Sequence, residues 1–147
     1  MFKFSKISNR IKLNEGFKDI IYKDKLGYQT IGYGHLINSK DGFILKKKFS
    51  KKLLLEIFYT DLRKAILDFK KHYNYKTLEN NIQEVIIEMI FQLGIKKVVK
   101  FKKFNFYIRN KQLYLAALEM IKSRWYQQTP NRVDRLTAIL LRNDKKR

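Results

Sequence analysis

The stretch EGFKDIIYKDKLGYQTIGYGHL, residues 15–36, constrains the fold more than any other part of the chain. It mixes β-branched and aromatic residues with glycines, and two short runs flank Asp24-Lys25-Leu26-Gly27. A glycine closing a short polar turn between such runs is a β-hairpin signal. From Tyr28 to Gly34, period-two alternation puts Tyr28, Thr30, Gly32 and Gly34 on one face and Gln29, Ile31 and Tyr33 on the other. Glycine inside a strand often marks a place where something approaches the backbone closely. The Thr30 face is therefore the one expected to meet a ligand.

The remainder reads as helix. Residues 5–14 give a short helix with Ile7 and Ile11 on one face. Ser50 is placed to cap a helix running to about Lys71, with Leu54, Ile57, Phe58, Leu62, Ala65, Ile66 and Phe69 near helical spacing. Ile82 to Leu93 is apolar on almost every side, which predicts a buried central helix closed by Gly94. Further helices fit residues 98–108 and 111–123. Thr129-Pro130 reads as an N-cap with proline at the first helical position, opening a helix to about Arg142. The predicted architecture is α+β and continuous over residues 1–147. A hairpin lobe over about 15–50 is joined by a helix over about 51–71 to a helical lobe over about 72–147, on which helix 5–14 is expected to pack.

Composition narrows the function classes. The 147 residues include 33 Lys and Arg against 13 Asp and Glu, a net charge of +20, while apolar residues make up 45%. That apolar share excludes a disordered basic tail. Absence of cysteine excludes a disulfide framework, a thiol nucleophile and a thiolate metal cluster, and two histidines are too few for a zinc site unless carboxylates supply the rest, so no metal or cofactor is expected. The longest apolar run, Val85 to Leu93, is too short to span a bilayer and is interrupted by Glu88. The first residues show neither an apolar core nor a small-residue cleavage site, so synthesis as a soluble cytoplasmic protein is expected. The basic runs are Lys46-Lys47-Lys48 with Lys51-Lys52, Lys96-Lys97 with Lys100, Lys102-Lys103, and Lys145-Lys146-Arg147. They attract any polyanion, whether nucleic acid, anionic lipid or an acidic wall polymer, and do not choose among them.

Cleavage of a glycosidic bond needs a proton for the departing oxygen and a carboxylate to handle water or developing positive charge. Glu15 ends the first predicted helix, Asp24 sits at the hairpin turn, and Thr30 lies on the returning strand, where its hydroxyl can orient a water. Taken alone, that spacing fits three ordinary surface residues equally well. A rival reading makes the chain a cationic membrane-disturbing or nucleic-acid-binding protein, supported by its charge and by the amphipathic segment from Val133 to Leu141.

Glu15-Gly16-Phe17, Tyr22-Lys23-Asp24, Gly27-Tyr28, Thr30-Ile31-Gly32 and Gly34-His35-Leu36 together resemble the N-terminal signature of the T4-type phage lysozymes. Phe91-Gln92-Leu93-Gly94 and the block from Ser123-Arg124-Trp125-Tyr126 through Gln128-Thr129-Pro130-Asn131-Arg132 are similar to that family's C-terminal lobe. The resemblance implies a lysozyme-like α+β fold and hydrolysis of the β-1,4 bond between N-acetylmuramic acid and N-acetylglucosamine in peptidoglycan, with inversion. It further implies Glu15 as proton donor, Asp24 as second catalytic acid and Thr30 as a residue placing the attacking water. Leu36 and Phe91 match groove-lining positions, Arg132 matches a residue that pairs with the donor, and Gln92 is a supporting residue. His35 matches a histidine joined structurally to an acid on the long helix, here Asp61. An ungapped reading puts Phe104 and Glu119 at two further groove positions, where the family carries small or amide side chains. Peptidoglycan is the implied partner, with no specific nucleic acid, and a monomer is expected.

Overall fold

Ile7, Ser8 and Ile11 fall on one side of the helix α1 (Phe4–Glu15) and are buried there. The computed structural model describes residues 4–43 and 47–142; Lys46 and the tail Lys145-Lys146-Arg147, both named above, lie outside the described residues. Gly16, at φ +70°, ends α1 by sending its N–H to the Lys12 carbonyl at 3.0 Å. This left-handed position is one that glycine occupies without a Cβ penalty.

Three strands follow in the antiparallel order β1-β2-β3: β1 (Lys18–Lys23), β2 (Gln29–Gly32) and β3 (His35–Leu36). The turn sits on Asp24 to Gly27 as the sequence predicts, with Gly27 at φ +86°. Tyr22 pairs with Thr30 and Lys23 with Gln29, while an irregularity separates this register from the Lys18–Gly32 pair. β3 was not anticipated, because two residues carry no readable alternation; it pairs Thr30 with Leu36 and Ile31 with His35.

Helix α2 (Lys51–His72) begins where expected, the Ser50 hydroxyl accepting the Leu53 N–H at 3.2 Å. Leu54, Phe58, Leu62, Ala65 and Phe69 are its buried positions. The chain divides into two compact units, Lys3–Lys64 and a second formed chiefly by Ala65–Arg147, so the boundary falls within α2. α1 and the hairpin both belong to the first unit.

In the second unit a short 3₁₀ turn (Tyr75–Thr77) precedes α3 (Asn80–Leu93), followed by α4 (Ile95–Val98), α5 (Lys102–Arg109), α6 (Leu113–Ile121), α7 (Arg124–Gln128) and α8 (Pro130–Leu140). Every residue from Asn81 to Ile90 is buried. The polar ones have work to do: the Asn81 amide donates to the carbonyls of Ile139, Leu140 and Arg142 at the end of α8, and the Gln83 amide to those of Tyr75 and Leu78. The single helix predicted over 98–108 is instead α4 and α5, broken at Val99 to Phe101. The Asn105 amide explains the break, since it donates to the Val98 carbonyl at 2.9 Å and the Phe101 carbonyl at 3.0 Å. α7 was missed as well; Ser123 caps it by accepting the Tyr126 N–H at 3.2 Å. Thr129 occupies the N-cap position of α8 but makes no side-chain cap. Its hydroxyl instead faces the Trp125 carbonyl at 3.4 Å and accepts from the Gln92 amide at 3.3 Å.

Candidate active site

The backbone of the hairpin builds the site around Asp24. Its Oδ1 accepts the N–H groups of Leu26 and Tyr28, each at 2.9 Å, while its own N–H donates to the Tyr28 carbonyl. Both side-chain bonds use one oxygen, so the carboxylate is fixed in direction while Oδ2 remains for a ligand or water. Thr30 is buried, at 2% exposure, and its hydroxyl donates to the Tyr28 carbonyl at 3.0 Å. With its proton directed there, the oxygen can only accept from another group.

Glu15 reaches the same sheet from the end of α1. A Cβ built on Gly34 would lie 2.5 Å from Glu15 Oε2 and 3.0 Å from its Cδ, so the carboxylate rests against glycine backbone in space that a side chain there would take from it. Gly34 also has φ +79°, a second reason for glycine. Gly34 lies past the end of β2, so this contact is not on the strand face that carries Thr30; at Gly32, which is on that strand, a Cβ would meet the Leu54 side chain at 3.3 Å where the alternation predicts a ligand.

Tyr22 links the three residues. It stands opposite Thr30 in the strand register, hence on the same face. Its phenol is pushed above its ordinary value first by burial, then by the negative charges of Glu15 and Asp24. Both carboxylates therefore act on one half-buried tyrosine beside Thr30. Tyr22 stands in the signature Tyr22-Lys23-Asp24, but the sequence alone assigns it no role; its position two residues before Asp24 on a strand is the signal that could have done so.

A glutamate at the end of α1 beside an aspartate and a threonine of the hairpin are residue types that suit acid–base hydrolysis. The phage lysozyme family model matches residues 12–144. The chain belongs to the phage lysozyme family. Among its relatives, probable T4-type lysozyme 1 of Dictyostelium discoideum is 33% identical, covering 92% of this chain and 94% of that protein. Probable T4-type lysozyme 2 of the same organism is 31% identical over 92% of this chain and 93% of its own length. The pre-baseplate central spike protein Gp5 of Enterobacteria phage T4 is 29% identical over 92% of this chain but only 27% of that protein. This phage lysozyme family member is a lysozyme-like glycoside hydrolase of α+β fold.

The other expected site residues fall as follows. Leu36, on β3, is 54% exposed and open to a ligand. Phe91 lies half-buried near the end of α3. Phe104 is 1% exposed, so the ungapped reading that put it in a groove is corrected: the side chain belongs to the core. Glu119, on α6, is partly buried with Lys122 Nζ at 4.0 Å. Gln92 holds Trp125, its Oε1 accepting the indole N–H at 2.8 Å, and Trp125 is buried at 3% exposure. Arg132 is buried and its Nε donates to Oε1 of the fully buried Glu88 at 3.3 Å.

His35 bridges two acids. Its Nδ1 lies 2.7 Å from Asp61 Oδ2 and its Nε2 3.0 Å from Asp41 Oδ2. The hydrogen bond to Asp61 raises the imidazole to about 9 against the opposing effect of burial, with Asp41 adding to the rise. For Asp41, burial works upward, but the Asn38 N–H and His35 outweigh it and hold the carboxyl below its usual value. Asp61 was expected from the resemblance; Asp41 was not. With both nitrogens engaged, His35 ties β3 to α2 and to the following loop. Among the described residues no three His, Asp or Glu side chains are arranged to hold a metal ion.

Proposed function

We propose that this lysozyme-family chain hydrolyses the β-1,4 bond between N-acetylmuramic acid and N-acetylglucosamine in peptidoglycan, with inversion, and so lyses bacterial walls. The observation that carries the reading is the placement of Glu15 against Gly34 while Glu15 and Asp24 both act on Tyr22 beside Thr30. Glu15, protonated, gives its hydrogen to the glycosidic oxygen as the bond to the anomeric carbon breaks. A water attacks that carbon from the opposite face and passes a proton to Asp24, leaving Glu15 as the carboxylate and Asp24 as the acid until solvent exchanges the proton between them. Inversion calls for roughly 6.5–9.5 Å between the two carboxyl groups, room enough for the water. A water that donates one hydrogen to Thr30 Oγ1 and the other to Asp24 Oδ2 turns its lone pairs toward the sugar. Leu36 and Phe91 are each assigned a saccharide contact by the family resemblance. The +20 charge supports attraction to an anionic wall.

The test is clearance of purified bacterial walls by Glu15→Gln protein, which keeps side-chain size and loses the transferable proton. Clearance should fall at least about a thousandfold. Equal clearance by the variant would reject the acid mechanism in favour of disruption by charge. Fragments ending in a reducing N-acetylmuramic acid, released first as the α-anomer, are the expected products; release of free stem peptides instead would make the chain an amidase.

A further inference from the structure

Between Gly94 and Leu118 the sequence has seven Lys and Arg and not one Asp or Glu. Three of these cations, Lys102, Arg109 and Lys111, line a cavity of about 750 Å³ bounded by the end of α2, the start of α3, α5 and the start of α6. The volume lies within the roughly 300–1,000 Å³ of small-molecule sites. Ile82, Ile108 and Leu113 give it an apolar wall, and Glu79 is the one carboxylate in the lining. On another wall Tyr73 donates its hydroxyl hydrogen to Asn105 Oδ1 at 2.6 Å. Burial pushes that phenol up to about 12, so it stays neutral and adds no negative charge to the cavity. None of Glu15, Asp24 or Thr30 takes part.

Lys111 adds an independent observation. It is the one non-glycine among the described residues with positive φ, at +55°. It terminates α5 with the Lys111 N–H on the Ile108 carbonyl and the Gln112 N–H on that of Tyr107. Glycine is the usual residue at such a helix end, and a residue with a Cβ is strained there. Strain of this kind gathers at ligand sites, and here it sets a third cation on the cavity rim.

We propose that this cavity binds an anionic amphiphile, its phosphate or carboxylate head held by Lys102, Arg109 and Lys111 and its short apolar tail lying against Ile82, Ile108 and Leu113. A neutral saccharide has no use for three cations on the rim, and an extended polyanion none for the apolar wall. The head and tail together fit both features.

The test titrates the full-length protein, at fixed ionic strength, with octyl phosphate, inorganic phosphate and octyl glucoside, following amide shifts by NMR. Octyl phosphate should saturate shifts in residues 102–113 at least about tenfold more tightly than inorganic phosphate, and octyl glucoside should leave them unmoved. Lys111→Gly should melt at the same or higher temperature, because the strain is relieved, yet bind octyl phosphate about tenfold more weakly. Lys97→Gln, which removes a cation outside the cavity lining, should bind as the parent does. Equal affinity for octyl phosphate and inorganic phosphate, or unchanged binding by Lys111→Gly, would overturn the site. Retention on phosphatidylglycerol vesicles without saturable octyl phosphate binding in solution would also overturn it, leaving only attraction between a basic surface and a bilayer.

Discussion

Asp24 and Glu88 are the same kind of group placed in opposite circumstances. Asp24 stands at a turn of the first unit, held by two backbone N–H groups through one oxygen, with the other oxygen left for chemistry. Glu88 lies at 0% exposure in the second unit, in the middle of α3, with the guanidinium of Arg132 beside it. A carboxylate held by peptide N–H groups at a turn keeps its access to water. One buried among apolar side chains needs a counter-charge, and the pair then serves the fold rather than a substrate. What holds each carboxylate, peptide N–H groups at a turn or a counter-charge in the core, thus separates Asp24 from Glu88.

The largest effect that sharpens this contrast is on stability. Glu88→Ala leaves Arg132 buried without that partner, and breaking such a pair costs about 3–5 kcal/mol. Denaturant unfolding should show it. The double variant Glu88→Leu with Arg132→Met should recover most of that loss, because apolar replacement of both members removes the burial penalty as well. A Glu88→Ala protein as stable as the parent would break the comparison. Asp24→Asn should do the reverse: its amide oxygen still accepts the Leu26 and Tyr28 N–H groups, so stability changes by less than about 1 kcal/mol, while wall clearance falls about a hundredfold or more. Gly34→Ala should also act on clearance, by about a hundredfold, equivalent to about 2.7 kcal/mol. The new methyl group would displace the Glu15 carboxylate, and full activity in that variant would show that the contact with Gly34 does not matter.

The sequence made the hairpin legible because Asp24 to Gly27 punctuates two runs of strand-forming residues, but the alternation around Thr30 stops at Gly32, where β2 ends, and does not reach the glycine that Glu15 meets. Glu15 and Asp24 could be named only because three blocks of residues resembled a known family; their spacing alone did not distinguish them from surface acids. The features that escaped all depend on contacts distant in sequence or on single side chains. Asn105 breaks a helix that periodicity alone would continue from residue 98. Thr129 has the identity and position of a cap, yet Gln92 draws its hydroxyl elsewhere. Phe104 fitted an ungapped alignment to a groove, whereas the helix it occupies turns it into the core. Asp41 lay hidden because its bond to His35 is set by the loop in which the Asn38 N–H also meets it.

The smallest predicted effect concerns that histidine, a third circumstance between Asp24 and Glu88: an ionisable group that is partly buried and paired on both sides. Its imidazole is raised in the fold from 6.5 to about 9. A raised base favours the folded state fully below its unfolded value, so the contribution is complete below about pH 6.5 and disappears as pH climbs through about 9. Asp41 moves the other way, lowered in the fold, so its share is present above the ordinary carboxylate range and is lost on acidification through it. The pair should therefore support the fold most strongly in mildly acidic to neutral solution. The full shift of His35 corresponds to about 3 kcal/mol, and partial exposure of the two acids reduces this to about 2 kcal/mol. Urea unfolding at pH 6 and pH 9.5 should show a loss of that order in the parent protein. His35→Asn should be less stable at pH 6 and nearly insensitive to the same change, because the titrating partner is gone. If the variant lost as much stability as the parent between the two pH values, the bridge from β3 to Asp41 and Asp61 would not be the source, and a different group would have to bind the proton that the fold releases.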